Sequence, residues 1–179
     1  MADANKHGLA LLDHLEHLRG DPRLAEQIMA TVGRSAFFTE FTPADIEVLV
    51  GFMHGYRAQP GQTLIYEGDG GDFMLLLIQG QVDILKKNQR GEQQFMTTVG
   101  SGTTLGEMSM IDGEPRFATC VAREPTTFAA LTREAMVNII LEQPGLGSKI
   151  LIKLVTLLSQ RLRQTSARLL QYMERPQDF

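Results

Sequence analysis

Cysteine is almost missing from this chain: Cys120 is the single thiol in 179 residues. No intrachain disulfide can form, and a reducing cytosol is the compartment that such usage predicts. A basic excess is missing too. The net charge of −4 and a pI near 5.6 argue against a broad electrostatic footprint for nucleic acid or an anionic membrane. No run approaches ~18 uninterrupted apolar residues, so no membrane span is expected. The start, Met1-Ala2-Asp3-Ala4-Asn5-Lys6-His7, has no basic region leading into an apolar signal core. Also absent are a Ser-His-Asp set, a Walker loop and zinc-ligand spacing, and the chain is read as a non-enzyme.

What is present is enough apolar residue for a core, 43% of the chain, and seventeen glycines concentrated between Gly51 and Gly113. The length fits one domain, or one domain with a helical appendage. The first fifty residues read as helices. Leu9, Leu12, Leu15 and Leu18 recur until Gly20, and Asp21-Pro22 then looks like an N-cap with proline at the first helical position. Leu24, Ile28 and Val32 extend that second helix. Thr42-Pro43-Ala44-Asp45 predicts a third start with a capping-box variant, and Ile46, Leu49, Val50 and Met53 form its stripe to about Gly55.

From Tyr56 to Leu131 the pattern changes to short runs of Val, Ile, Leu, Phe and Thr between Gly, Asp, Asn and Pro turns. Eight strands are expected, near 56–58, 63–66, 73–79, 82–87, 93–99, 103–105, 117–122 and 126–131. That punctuation predicts a mainly β fold, an eight-stranded antiparallel jelly-roll barrel with flanking helices. Thr132-Arg133-Glu134 opens a helix carrying Met136, Val137, Ile140 and Leu141, and Pro144-Gly145 interrupts it. Ser148 is expected to cap a long final helix to about Glu174. Leu151, Val155, Leu158, Leu162, Thr165, Leu169 and Tyr172 are spaced as a heptad seam, which needs a partner helix. Three segments follow: an N-terminal helical extension at 1–35, the β-roll with adjoining helices at 36–147, and the long helix with its tail at 148–179.

One stretch concentrates the chemistry, Gly106-Glu107-Met108-Ser109-Met110-Ile111-Asp112-Gly113-Glu114-Pro115-Arg116-Phe117-Ala118-Thr119. Gly106 begins a short helical turn whose free N–H groups favour a phosphate. Glu107 can accept from a sugar hydroxyl. Arg116, expected to start the next strand, offers a planar charged fork for phosphate oxygens.

In that order and between those strands, the stretch resembles the phosphate-binding cassette of the cyclic-nucleotide-binding domain family. Pro60-Gly61, Leu64 to Asp69, and Phe73 to Gly80 leading into Val82 match its other landmarks. The resemblance covers roughly residues 36 to 170. It implies a cAMP-sensing jelly roll in which Glu107 accepts the ribose 2′-hydroxyl and Arg116 pairs with the phosphate's exocyclic oxygens. The N–H groups of Met108 and Ser109 would complete the anion cradle, and Gly106 would admit the backbone closely. Phe117 and Ala118 complete the cassette, and Ile84 and Met96, pointing into the roll, would sit beside the purine and sugar.

Ser159 to Ser166 resembles the dimer helix of the bacterial catabolite activator protein family. This implies a homodimer in which Thr165 of one subunit and Ser166 of the other meet the adenine amino group. That family has a serine where Phe117 stands, and cGMP-selective members often have a threonine, so cGMP ranks behind cAMP. The activator family continues into a helix-turn-helix, whereas Arg175 to Phe179 hold no recognition helix. The expectation is therefore a cytoplasmic sensor that signals to an unidentified effector protein, with no direct DNA or membrane binding. A cyclic dinucleotide, or no nucleotide at all, is the alternative ligand reading.

Three further features read as structural. His14 and His17, with His7 before them, share a predicted solvated face with Asp13 and Glu16 rather than a metal site. Cys120 reads as a small buried hydrophobe. Lys149, Lys153, Arg161, Arg163 and Arg168 read as the charged flank of the long helix, with an acidic partner as the other possibility.

Overall fold

In a computed structural model, residues 9–18, 22–32, 38 and 40–173 are described. The Asp21 cap and His7 lie outside them. Among the described residues, nine strands form two antiparallel sheets. The first contains β1 (Glu16–His17), β2 (His54–Ala58), β9 (Thr126–Thr132), β4 (Phe73–Gln79) and β7 (Thr104–Leu105), in that order. The second runs β3 (Thr63–Ile65), β8 (Thr119–Ala122), β5 (Gln81–Lys87) and β6 (Gln93–Gly100). All eight expected strands are present, and the fold is the antiparallel roll with flanking helices that the turn pattern predicts.

The helices are α1 (Pro22–Val32), α2 (Pro43–Gly51), α3 (Glu107–Asp112), α4 (Arg133–Glu142) and α5 (Pro144–Met173). The α2 start follows the capping-box expectation. Thr42 Oγ1 accepts from Asp45 N–H at 3.2 Å, and Thr42 N–H donates to Asp45 Oδ2 at 2.8 Å.

Strand β4 explains how sheet and helices become one body. Its Phe-Met-Leu-Leu-Leu-Ile run has no polar face because both faces are covered. Phe73, Leu75 and Leu77 join a cluster with Tyr56, Leu64, Val82, Cys120 and Phe128, drawn from both sheets. Met74, Leu76 and Ile78 join a second cluster with Ile28, Leu49, Met110, Met136, Ile139, Ile150 and Leu154, which lies under the helices. Strand β9 divides likewise, with Phe128 and Ala130 on one side and Ala129 and Leu131 on the other.

Several expectations are corrected. Residues 10–18 do not form one continuous helix. A 3-10 turn at Ala10–Leu12 leads into β1, which pairs with β2 through Glu16↔Arg57 and His17↔Tyr56. Leu9, Leu12 and Leu15 are buried in the inter-sheet cluster all the same. The two histidines therefore part company. His14 Nε2 donates to Thr63 C=O at 2.9 Å, while the His17 ring packs edge-on to Tyr56. Helix α2 ends at Gly51 with Phe52 as its C-cap, and β2 begins at His54, one residue before the expected helix end. The break between the two helices falls at Gln143, directly before Pro144, and Pro144 itself starts α5, as proline at a first helical position can. Ser148 Oγ bonds back to Pro144 C=O at 2.8 Å inside that helix rather than capping it. On α4 the covered residues are Ala135, Met136 and Ile139, while Val137 and Leu141 are exposed.

Candidate functional site

The site is built where β7 runs into α3. Gly106, at φ 77°, turns the chain in the left-handed region as the N-cap of α3. A Cβ there would meet the Arg116 guanidinium and approach Ile65 Cδ1 to 3.1 Å, so glycine is required twice over. Glu107 follows and is only 1% exposed. Burial pushes its carboxyl above the ordinary value, against the pull of Arg161, its own backbone N–H and Arg116. One carboxylate oxygen, Oε1, pairs with Arg161 Nη1. The other, Oε2, has no hydrogen-bond partner among the described residues, and neither does the nearby Thr104 hydroxyl. A buried acceptor left without a donor costs about 1–3 kcal/mol, so such an atom is a seat for a donor supplied from outside.

Arg116 is 3% exposed and does not lie in a strand, since β8 begins at Thr119. Its Nη1 donates to Gly106 C=O at 2.7 Å and its Nη2 to Phe73 C=O at 2.8 Å. The guanidinium also sits 4.3 Å from the centroid of the Phe73 ring. Gly71 must lack a side chain because a Cβ there would run into this guanidinium. Burial lowers the pKa of Arg116 from its ordinary value, and Asp72 and Glu107 oppose the shift. With five N–H groups and two of them on carbonyls, the fork keeps donors for an anion.

The remaining predicted residues divide. Ser109 is buried, and Met108 is exposed on the same short helix. Ala118 is half-buried between Arg116 and β8. Ile84 packs against the inter-sheet cluster as expected. Met96 is 50% exposed and does not point into the roll. The β5–β6 register steps from Ile84↔Thr97 to Leu85↔Phe95, so Met96 is the extra residue of a bulge. Phe117 is 55% exposed, with Lys86 Nζ 4.4 Å above its ring. The same ammonium donates to Phe117 C=O at 2.7 Å and to Glu67 Oε1 at 2.8 Å. Thr165 and Ser166 are exposed on α5.

Arg161 is the site residue that sequence reading missed, having been assigned to the charged flank. Besides Glu107 it binds Thr104 C=O through Nη2 at 2.9 Å. The signal was available in the spacing. Arg161 precedes Thr165 by four residues, which places both on one face of a helix. Lys149 and Lys153 are likewise engaged within the chain, on Asp45 at 2.6 Å and Glu40 at 2.8 Å. Among the described residues no group of three or more His, Cys, Asp and Glu could hold a metal. No helix among them is long and apolar enough to cross a membrane.

Residues 57–143 match the family model described as cyclic nucleotide-binding domain. The chain is 39% identical to the crystal structure of a cyclic nucleotide-binding domain from Methylobacillus flagellatus KT. The match covers 88% of this chain and 89% of that one, at a TM-score of 0.78. It is 28% identical to the catabolite activator protein structure from Thermus thermophilus, over 75% of this chain and 62% of that one, at a TM-score of 0.69. Among curated proteins it is 28% identical to the cyclic AMP receptor protein of the same organism over 135 residues, 75% of this chain and 61% of that protein. The chain thus spans about three fifths of the length of these curated relatives.

Proposed function

We propose a ligand and an output for a chain that belongs to the cyclic nucleotide-binding domain family: it is a cytosolic, non-enzymatic sensor of cAMP that signals to another protein. The observation carrying this reading is Glu107 Oε2, a buried acceptor with no hydrogen-bond partner among the described residues, beside a buried arginine. A ribose 2′-hydroxyl is a donor of the right size for it. The free N–H groups of Arg116 take the exocyclic phosphate oxygens, with the N–H groups of Met108 and Ser109 alongside. Ile84 flanks the purine and sugar, next to Phe117 and Ala118. Thr165, with Ser166 of a second copy, accepts from the adenine amino group in a homodimer formed along the α5 seam. A relative bearing the name cyclic AMP receptor protein supports the choice of cAMP, and the phenyl side chain of Phe117 keeps cGMP behind it.

The output follows from the Glu107–Arg161 pair, which joins the ligand's seat to α5. Binding shifts α5 only by its differential affinity for two arrangements of that helix. The test is calorimetry of the full chain with cAMP, cGMP and a cyclic dinucleotide. cAMP is expected to bind most tightly, and Arg116→Ala to weaken it by about 10–100-fold, the worth of hydrogen bonds to a charged group. No heat with any ligand would sink the reading. The exposed, cation-held Phe117 ring favours one second reading, a nucleotide-independent interaction module. Partner binding that survives Glu107→Ala with Arg116→Ala would select it.

A further inference from the structure

Arg133 stands at the first position of α4, directly after its N-cap Thr132. A cation is unfavourable there because the helix N-terminus carries partial positive charge. The side chain escapes this by reaching across to the far end of α3. Its Nε donates to Met110 C=O at 2.6 Å and its Nη2 to Ser109 C=O at 2.8 Å. Both carbonyls belong to the last turn of a short helix, where backbone acceptors run out of intrahelical donors. Gly113 N–H shares the Ser109 carbonyl at 3.0 Å, so Arg133 completes the C-terminal cap of α3 from another element. The backbone N–H of Arg133 is also tied down, to Asp72 C=O at 2.6 Å. The next carbonyl, that of Phe73, holds Arg116. One bend at the start of β4 therefore anchors both arginines.

The grip continues into the helices. Met110 lies in the same apolar cluster as Met136, Ile139, Leu146 and Ile150. Helices α4 and α5 touch through Gly147, where a Cβ would lie 2.8 Å from Ile140 Cα, so the pair has little room to slide. Arg161 of α5 holds the other end of α3 through Glu107. The short helix is thus held at both ends by arginines from the helical hairpin, and only the Arg161 end coincides with the proposed ligand seat.

We propose that Arg133 is a positioning residue that transmits the placement of α3 to the α4–α5 hairpin, without itself touching the nucleotide. This rests on the cAMP reading for its ligand, though not for its geometry. The full chain, Arg133→Met and Arg133→Lys are compared by calorimetry with cAMP and by amide hydrogen exchange with and without it. In the unmutated chain cAMP is expected to slow exchange both in 107–113 and in 156–173. In Arg133→Met, cAMP affinity should stay within about threefold, while the response of 156–173 falls at least about fivefold, the low end of allosteric couplings. Arg133→Lys, which can reach one carbonyl, should restore part of it.

The ligand-free arm stands alone. Arg133→Met should speed exchange in 107–113 and in the first turn of α4, and Arg133→Lys should do so less. If no nucleotide binds the unmutated chain, the functional reading fails and this arm decides the coupling by itself. An undiminished response of 156–173 in Arg133→Met, unchanged ligand-free exchange, or equal losses in both variants would overturn the proposal.

Discussion

The two halves of α5 differ in apolar content, with eight Leu, Ile and Val residues in 144–158 against three in 159–173, and they live in different environments. In the first half Leu146, Gly147, Ile150 and Leu154 are buried against α4 and the sheet. Lys149 and Lys153 fasten the same stretch to Asp45 and Glu40. In the second half Leu162, Leu169 and Tyr172 are exposed, and Arg161 is the residue bound back to the roll. The helix therefore has two apolar faces. One, spaced by fours, is covered by the chain itself. The other, the heptad seam from Leu151 onward, is left open. Apolar content alone does not say which face a domain keeps for itself; that depends on where the sheet and its neighbouring helices end.

The largest test of this contrast removes a buried methyl cluster. Ile150→Ala should cost about 2–5 kcal/mol of unfolding free energy, as buried large-to-small changes do. In dilute protein, Leu162→Ala should stay within about 0.5 kcal/mol. Urea titration at two protein concentrations checks both, because a seam-to-seam dimer makes the midpoint of the unmutated chain concentration-dependent and Leu162→Ala should remove that dependence.

Next in size is the anchor of the exposed half. Arg161→Met leaves the Glu107 carboxylate buried with neither oxygen on a side-chain cation, which should cost about 1–3 kcal/mol at neutral pH. The pH dependence has a definite sign. The folded-state pKa of Glu107 lies above its ordinary 4.5, so its charged form opposes folding, and acidification through that raised value relieves the cost. The deficit of Arg161→Met should therefore shrink as pH falls toward 4.5. Glu67 works the other way. Lys86 and the Lys87 N–H hold its carboxyl below the ordinary value, so its contribution is present above 4.5 and is lost as acid titrates it. Unfolding midpoints across acid and neutral pH separate the two.

The smallest effect falls on the fastened half. Asp45→Ala removes both the capping box of α2 and the Lys149 pair, and should cost about 1 kcal/mol, the ordinary worth of an N-cap residue. The Asp45 carboxyl sits below its ordinary 3.8 because Lys149 and Thr42 donate to it. The gap between the unmutated chain and Asp45→Ala should thus hold above that value and close as pH falls through the depressed pKa. A thermal midpoint series at two pH values reads it.

Much of this was legible in residue order because the forces involved are local. Thr42-Pro43-Ala44-Asp45 caps its helix with its own side chains. The strands were bounded by glycines and prolines whose turn chemistry needs no distant partner. The cassette's order from Gly106 to Arg116 also survived intact. What was misread depended on partners far along the chain. The leucines from Leu9 to Leu18 read as a helix because their periodicity cannot reveal that the edge of β2 accepts β1. Met96 was placed inside the roll, as alternation dictates, but a bulge in β6 moved it out. Arg161 reads as surface charge, although its acceptors lie 54 and 57 residues away, and nothing near Arg133 in the sequence points to acceptors 23–24 residues before it.

By itself, then, the sequence determined the roll, its turns and the presence of a carboxylate and an arginine on one short segment. Those properties follow from backbone stereochemistry and from side chains within a few positions of one another. Tertiary structure alone decided that Glu107 is buried with one oxygen paired and the other without a partner among the described residues, and that Arg116 is held by two carbonyls. It also decided which face of α5 stays open. Burial and hydrogen-bond partnership are properties of what the folded chain brings from elsewhere, and no local pattern encodes the distance over which those partners arrive.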